Sequence, residues 1–480
     1  MGSSSYGAAP VQNRLSHPCA IPIASPDTSP KHEATWKVIL ALLSLSLSLL
    51  LWTNSLLSSL QRPSVTASLD RRQLELGVVA APALKGPLRS ALISEDPEAR
   101  LLEALLEQGE DSLTPRERLL AQLLARRAGN ADAAGLPTLP LQADGAVGRL
   151  ARSLDHSGSM RNMSDTGATR RFPEDPLLER LGCEALGGPP GECLQERDAR
   201  QAALRLAVVS VLPIVLLIAG VALLIRLIWR LWQHSLPPQP VVLAPPLSLV
   251  DVTLLITGGF VVMGETLVPL IAVPLVQALT GATGLTPPRS DALSFVLVYL
   301  SLMALPLVML QLMLRGQPEG RECGLQWRWI PLGSALRQGL GGVLMVLPAV
   351  SLAGWVAQHW MGEGGGSNPL LEVVMGSRDS IALFCLAFTA LVLAPWFEEL
   401  LFRGVLLPVM VRQESRMIGL VVSALVFAAA HLSAGELFPL LVLGIGLGWL
   451  RLTSGRLAPC VLMHALWNGF TFINLIALGG

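Results

Sequence analysis

APWFEELLFRG, residues 394–404, closes a long apolar run with two adjacent glutamates and, one helical turn later, an arginine. A charge at the centre of a membrane helix costs roughly 2.5–3.5 kcal/mol on insertion scales. Whether this segment lies in lipid or in water therefore decides the fold.

Composition answers for lipid. The chain has 480 residues, of which 51% are hydrophobic and 15% charged, too apolar for an ordinary soluble protein and too long for one domain. Formal net charge is zero, so the totals point neither to a nucleic-acid partner nor to a basic membrane-surface patch. Aromatic residues are few and tilted to Trp, and no runs of alternating hydrophobicity announce a β-barrel. The expected fold is all-α, a polytopic helical bundle with membrane lipid as its first partner.

Residues 1–35, rich in Ser, Pro and Ala, read as a disordered tail. Residues 36–57, which include VILALLSLSLSLLLW, are long enough to cross a bilayer and lack a small-residue cleavage site after them. Residues 58–202 turn polar and hold two similar stretches, PEARLLEALLEQG from Pro97 and PRERLLAQLLARRAG from Pro115, each with an apolar face. Thr114, Pro115 and Glu117 form a capping-box signature at the start of the second. This region reads as a small helical domain, either self-packed or offering a groove to a protein partner.

Eight apolar runs follow between residues 203 and 480: 203–228, 249–279, 292–314, 338–358, 380–411, 417–432, 437–450 and 457–478, each near the length of a span. Arg226, Arg230, Arg315, Arg321, Arg328, Arg337, Arg412, Arg416, Arg451 and Arg456 all fall in connections of one side. The positive-inside rule makes that side, and the N-terminus, cytoplasmic. Residues 58–202 then lie outside the cytoplasm, where Cys183 and Cys193 have the option of a disulfide or of remaining two thiols. The six cysteines show no CxxC or zinc-finger spacing.

Polar residues recur inside the last runs. His431 lies in LVFAAAHLS and His464 in VLMHALWNGF; His464 and Asn468, four apart, share a helix face, as do Phe427 and His431. Glu399 and Arg403 are also four apart in the favourable acid-before-base order, while Glu398 points roughly 100° away. Each feature alone has a plain reading as a helix end, an interface anchor or a packing hydrogen bond. Convergence on one interior cavity explains all of them together.

Such a cavity has the parts for peptide hydrolysis: a base to deprotonate water, donors for the oxyanion and an acid for the leaving amine. Glu398, less committed to Arg403, is the expected base; His431 orients the water; His464 and Asn468 are oxyanion donors; Glu399 and Arg403 support them. The same residue types make zinc sites, with His431, His464 and Glu398 as candidate ligands, although HExxH is absent.

In order on successive apolar segments, EExxxR at Glu398, Glu399 and Arg403, FxxxH at Phe427 and His431, and HxxxN at His464 and Asn468 resemble the three motifs of the CAAX protease and bacteriocin-processing (CPBP, Abi) family. The resemblance implies an intramembrane endopeptidase with about eight helices in its core, acting on a peptide or membrane-associated protein. It also implies a glutamate-activated water with no cofactor, zinc being the alternative, and a setting in the bacterial inner membrane.

The motifs span 394–468, and nothing in residues 1–200 belongs to the pattern. A transporter and a non-catalytic binder or chaperone are the competing classes, the first motivated by intramembrane charge, the second by the added outer region. Glu265, within the 249–279 run, matches no motif and is read as a packing, interface or cavity-entrance residue. The arginine-rich end is expected to give access to the cavity, with the added domain on the opposite side.

Overall fold

A computed structural model describes residues 34–62, 65–109, 113–129, 136–143, 145–156, 175–189, 191–235, 238–315, 325–361 and 369–479. The tail expected at the N-terminus falls outside them up to residue 33, as do Cys19 and Cys323. The described residues are helical, with no strand among them.

Helix α1, Thr35–Ser59, is followed by six shorter helices: α2 (Val65–Ala80), α3 (Pro87–Leu92), α4 (Pro97–Leu106), α5 (Pro115–Arg127), α6 (Gly145–His156) and α7 (Pro176–Ala185). Three of these start in the same way. Asp96, Thr114 and Asp175 each cap an amide of the first turn, and proline occupies the first helical position, where its missing N–H costs nothing. The box at Thr114 is complete, Glu117 returning a bond to the Thr114 amide.

Leucines at helical spacing, among them Leu101, Leu105, Leu119, Leu120, Leu154 and Leu177, turn inward to one core. Each contributes about 1.5–3 kcal/mol by leaving water. The core closes on Ala202 and Leu206, so the helical domain is built onto the first turns of α8, Glu196–Trp232. Cys183 and Cys193 are joined as a disulfide between α7 and the approach to α8.

Arg116, at the centre of this domain, has all three guanidinium nitrogens paired. Arg116 forks onto Glu75 at 2.8 and 2.9 Å and onto Asp175 at 2.6 and 3.2 Å. Burial works against the Arg116 cation, but these two carboxylates outweigh it and hold its proton more tightly than usual. Burial likewise favours the neutral form of Glu117. The bonds from Thr114 and the charges of Arg71 and Arg116 prevail and hold its carboxyl below the usual range.

The remaining helices are α9 (Leu249–Ala282), α10 (Arg289–Leu314), α11 (Leu332–Met361), α12 (Pro369–Gly376), α13 (Ser380–Gln413), α14 (Arg416–Ala429), α15 (Leu437–Ser454) and α16 (Ala458–Gly479). Among the described residues eight helices, α1, α8 to α11, α13, α15 and α16, are long and apolar enough to cross a membrane, and the protein is an integral membrane protein. The 417–432 run differs from its expectation. Its helix has 14 residues, about 21 Å, short of the roughly 30 Å hydrocarbon core. It pairs with α15 as a hairpin, Ala424 and Phe427 approaching Gly444 so closely that a Cβ there would sit only 3.0–3.2 Å from them and push them aside.

Helix α1 is part of this bundle rather than an appended anchor. Its serine stripe meets the π-helical stretch of α9, Leu254–Val262: the Ser44 and Thr257 hydroxyls bond at 2.8 Å, and Ser48 donates to the Thr257 carbonyl at 2.9 Å. At its start Lys37 pairs with Asp251 at 3.1 Å.

Candidate active site

Helix α13 is interrupted twice by π turns, Thr389–Leu393 and Leu400–Leu406, and the two glutamates lie between them. In a π turn the Ala390 carbonyl would look to the amide of residue 395, and Pro395 has none. The Asn468 side chain supplies the missing donor, Nδ2 to the Ala390 oxygen at 2.8 Å. The widened turn thus fixes the position of α16 against α13 just ahead of the glutamates.

Glu399 and Arg403 are fully buried. Arg403 Nη1 donates to Glu399 Oε1 at 2.9 Å and Nη2 to the Gly444 carbonyl at 3.2 Å, while the guanidinium lies 4.2 Å over the Phe427 ring. The same Glu399 oxygen faces His464 Nδ1 at 3.0 Å. A carboxylate oxygen accepts, so Nδ1 carries a proton, and the bond turns His464 Nε2 to the opposite side of the ring, where no protein atom among the described residues takes it. His431 is oriented in a parallel way: Nδ1 bonds the Phe427 carbonyl at 2.8 Å, which again leaves Nε2 as the free nitrogen. Phe427 packs edge-on to both imidazoles, with ring centres 4.8 Å from His431 and 5.7 Å from His464.

Both free nitrogens point at Glu398. His431 Nε2 is 3.9 Å and His464 Nε2 4.0 Å from Glu398 Oε2, an oxygen that is shielded from solvent and has no hydrogen-bond partner. The other carboxylate oxygen, Oε1, accepts from the Tyr299 hydroxyl at 3.2 Å. Each of the two adjacent glutamates keeps one buried oxygen without a hydrogen-bond partner, but Glu399 is paired with the Arg403 guanidinium, whereas Glu398 has no arginine or lysine beside it and turns its open oxygen to two imidazoles.

The separations discriminate between occupants of that opening. A zinc ion about 2.05 Å from each atom would have to subtend about 145–155° between Oε2 and each nitrogen, far from tetrahedral. A water about 2.8 Å from each would subtend about 90°. Among the described residues no three His, Cys, Asp or Glu side chains are set as a metal cluster.

Glu398, Glu399, Arg403, Phe427, His431 and His464 thus come together, and Asn468 lies one turn beyond His464, on the Ala390 carbonyl. His464 bonds the Glu399 carboxylate and Asn468 the Ala390 carbonyl. Glu265 is exposed on α9.

Two residues of this neighbourhood escaped the sequence reading. Tyr299 is one of only two tyrosines and sits mid-way along an apolar run, a signal that was available. Arg451, read as an anchor in a cytoplasmic connection, is instead fully buried in the last turn of α15; it donates to the Arg403 carbonyl at 3.1 Å and to Gln326 at 2.9 Å.

The edges of the site point two ways. Trp396, beside the glutamates, stacks on Trp327 from the loop where Arg456 bonds the Arg328 carbonyl, at the arginine-rich end. The loop after His431 meets the other end of α1: Ser59 accepts from the Ala434 amide at 2.9 Å, and Arg62 donates to the Leu432 carbonyl at 3.2 Å. The His431 edge is therefore also tied to the end of α1 that leads into the helical domain.

Residues 380–470 match the family described as type II CAAX prenyl endopeptidase Rce1-like, the family that the three motifs resemble, and residues 66–204 match a family described as a domain of unknown function (DUF8675). No curated protein and no solved structure matches the chain.

Proposed function

With its segment 380–470 in the CAAX-endopeptidase family as premise, we propose that this protein hydrolyses a peptide bond of a membrane-associated or membrane-proximal substrate through a water activated by Glu398. The observation that carries the reading is the unpartnered Glu398 Oε2 facing the free Nε2 atoms of His431 and His464. A buried acceptor without a partner is costly, and a water that donates to Glu398 Oε2 and to His431 Nε2 while accepting from a protonated His464 Nε2 satisfies all three atoms.

In this scheme Tyr299 fixes the carboxylate through Oε1, and Oε2 takes a proton from the water as its oxygen attacks the carbonyl carbon. His431 Nε2 holds the same water. The developing oxyanion is stabilised from the α16 side. His464, protonated at Nε2, remains tied to Glu399 through Nδ1, and Asn468 keeps a second N–H beyond the one given to Ala390. Arg403 pairs with Glu399 and fixes the carboxylate against His464, where it stabilises that imidazolium. The C–N bond then breaks, and the proton held by Glu398 passes to the leaving amine.

The bridging angles favour water over zinc, and the reading is of metal-free hydrolysis. The N-terminus is assigned to the cytoplasm and residues 58–202 to the outside of a bacterial inner membrane. The clustering of the Arg412, Arg416 and Arg456 connections at one end and the disulfide in the helical domain at the other support this.

The test is the inventory of new peptide ends in cells carrying the intact protein or Glu398→Ala, with and without a chelator. Ends lost on substitution and insensitive to the chelator are expected. Ends that persist without Glu398 overturn the assigned base, and flux of a solute through proteoliposomes that depends on Glu398 would favour a transporter instead.

A further inference from the structure

The segment that carries His431 is short of its own support. Helix α14 stops at Ala429, Leu432 adopts a left-handed backbone with φ of 54°, and α15 begins only at Leu437. Left-handed backbone at a branched side chain costs of the order of 1 kcal/mol and persists where neighbours fix it. The neighbour is the last turn of α1.

Ser59 is fully buried, and its hydroxyl has two roles. It donates to the Leu56 carbonyl at 2.7 Å, which aims its lone pairs away from its own helix, and it accepts the Ala434 amide at 2.9 Å. Arg62, one turn on, donates to the carbonyl of Leu432, the left-handed residue itself. Both bonds reach more than 350 residues along the chain to the three positions that follow His431.

We propose that Ser59 and Arg62 are positioning residues for His431: by fixing the Leu432 carbonyl and the Ala434 amide, they hold the imidazole with Nε2 turned toward Glu398. This rests on the catalytic reading of His431 given above. Helix α1 lies outside the 380–470 family segment, so the protease site of this chain is completed by an element from its added half. Because α1 leads into the helical domain, the clamp also gives that domain a mechanical route to the site.

The full-length protein in lipid nanodiscs is compared with Ser59→Ala, Arg62→Ala and Ser59→Thr by three measurements. Hydrogen exchange at the Ala434 amide is expected to quicken roughly fivefold in Ser59→Ala, the loss of about one hydrogen bond. Labelling of His431 by diethyl pyrocarbonate, relative to exposed His359, is expected to rise in Ser59→Ala and Arg62→Ala. Cleavage of the peptide found through the Glu398→Ala comparison is expected to lose kcat with little change in KM.

Ser59→Thr, which keeps the hydroxyl, is expected to restore all three. Unchanged exchange and labelling overturn the clamp, as does a loosened loop with undiminished kcat. A wild-type protein that cleaves nothing refutes the proteolytic reading alone; the exchange and labelling results still decide whether α1 holds the His431 loop.

Discussion

Arg116 and Arg403 are both arginines enclosed among helices, and they are treated differently. In the helical domain Arg116 meets two carboxylates with four hydrogen bonds, and the charges close on themselves. In the membrane core Arg403 has one carboxylate, which it shares with His464, and its Nε has no partner. Next to it, Glu398 Oε2 is also unpartnered. A closed network fixes a structure; an open one, kept where each missing bond costs roughly 1–3 kcal/mol, is available for chemistry.

The largest expected effect comes from breaking the membrane pair. Arg403→Ala leaves Glu399 buried without its cation, which costs about 3–5 kcal/mol. Thermal unfolding in detergent should shift down accordingly, with cleavage lost as well. Arg116→Ala strips two carboxylates in the helical domain but leaves them closer to water, so a loss of about 2–3 kcal/mol is expected, read by the same method, with cleavage by folded protein retained.

Smaller still is Tyr299→Phe. It removes one hydrogen bond to a charged group, about 1.5–3 kcal/mol, and should lower kcat by roughly ten- to a hundredfold while hardly moving the unfolding temperature. Equal loss of stability would reassign Tyr299 to the closed, structural kind of network.

The smallest effect is with acid. Glu117 is held below the usual carboxylate range, so the unfolded chain binds a proton first as pH falls. Its stabilisation is fully present above about pH 4.3 and is lost as pH drops through the lower folded value. Circular dichroism of the full chain should show the helical domain losing stability in that acid range, and Glu117→Gln should flatten the dependence.

Much of this was legible in the sequence because the signals were local. The capping box at Thr114, the apolar runs and the four-residue spacings of Glu399 with Arg403 and Phe427 with His431 depend only on neighbours along a helix. What escaped depends on the third dimension. The Asn468 bond is explained by the absent amide of Pro395, seventy-odd residues earlier, in a π turn that no periodicity announces. Tyr299 and Ser59 come from helices outside the motif segment. Arg451 lies near the end of a span, where an arginine is ordinarily an anchor, and only the packing of α15 reveals its burial.

The direct test of the central claim is Glu398→Gln in the purified full-length protein, with cleavage and thermal unfolding measured on the same sample. If Glu398 is kept open for catalysis, cleavage falls by roughly 10²–10⁴-fold, the contribution of a general base, and the protein is as stable as before or more so. Cleavage that survives, or a loss of stability as large as that of Arg403→Ala, would contradict the account and place Glu398 with Glu399 in the structural network.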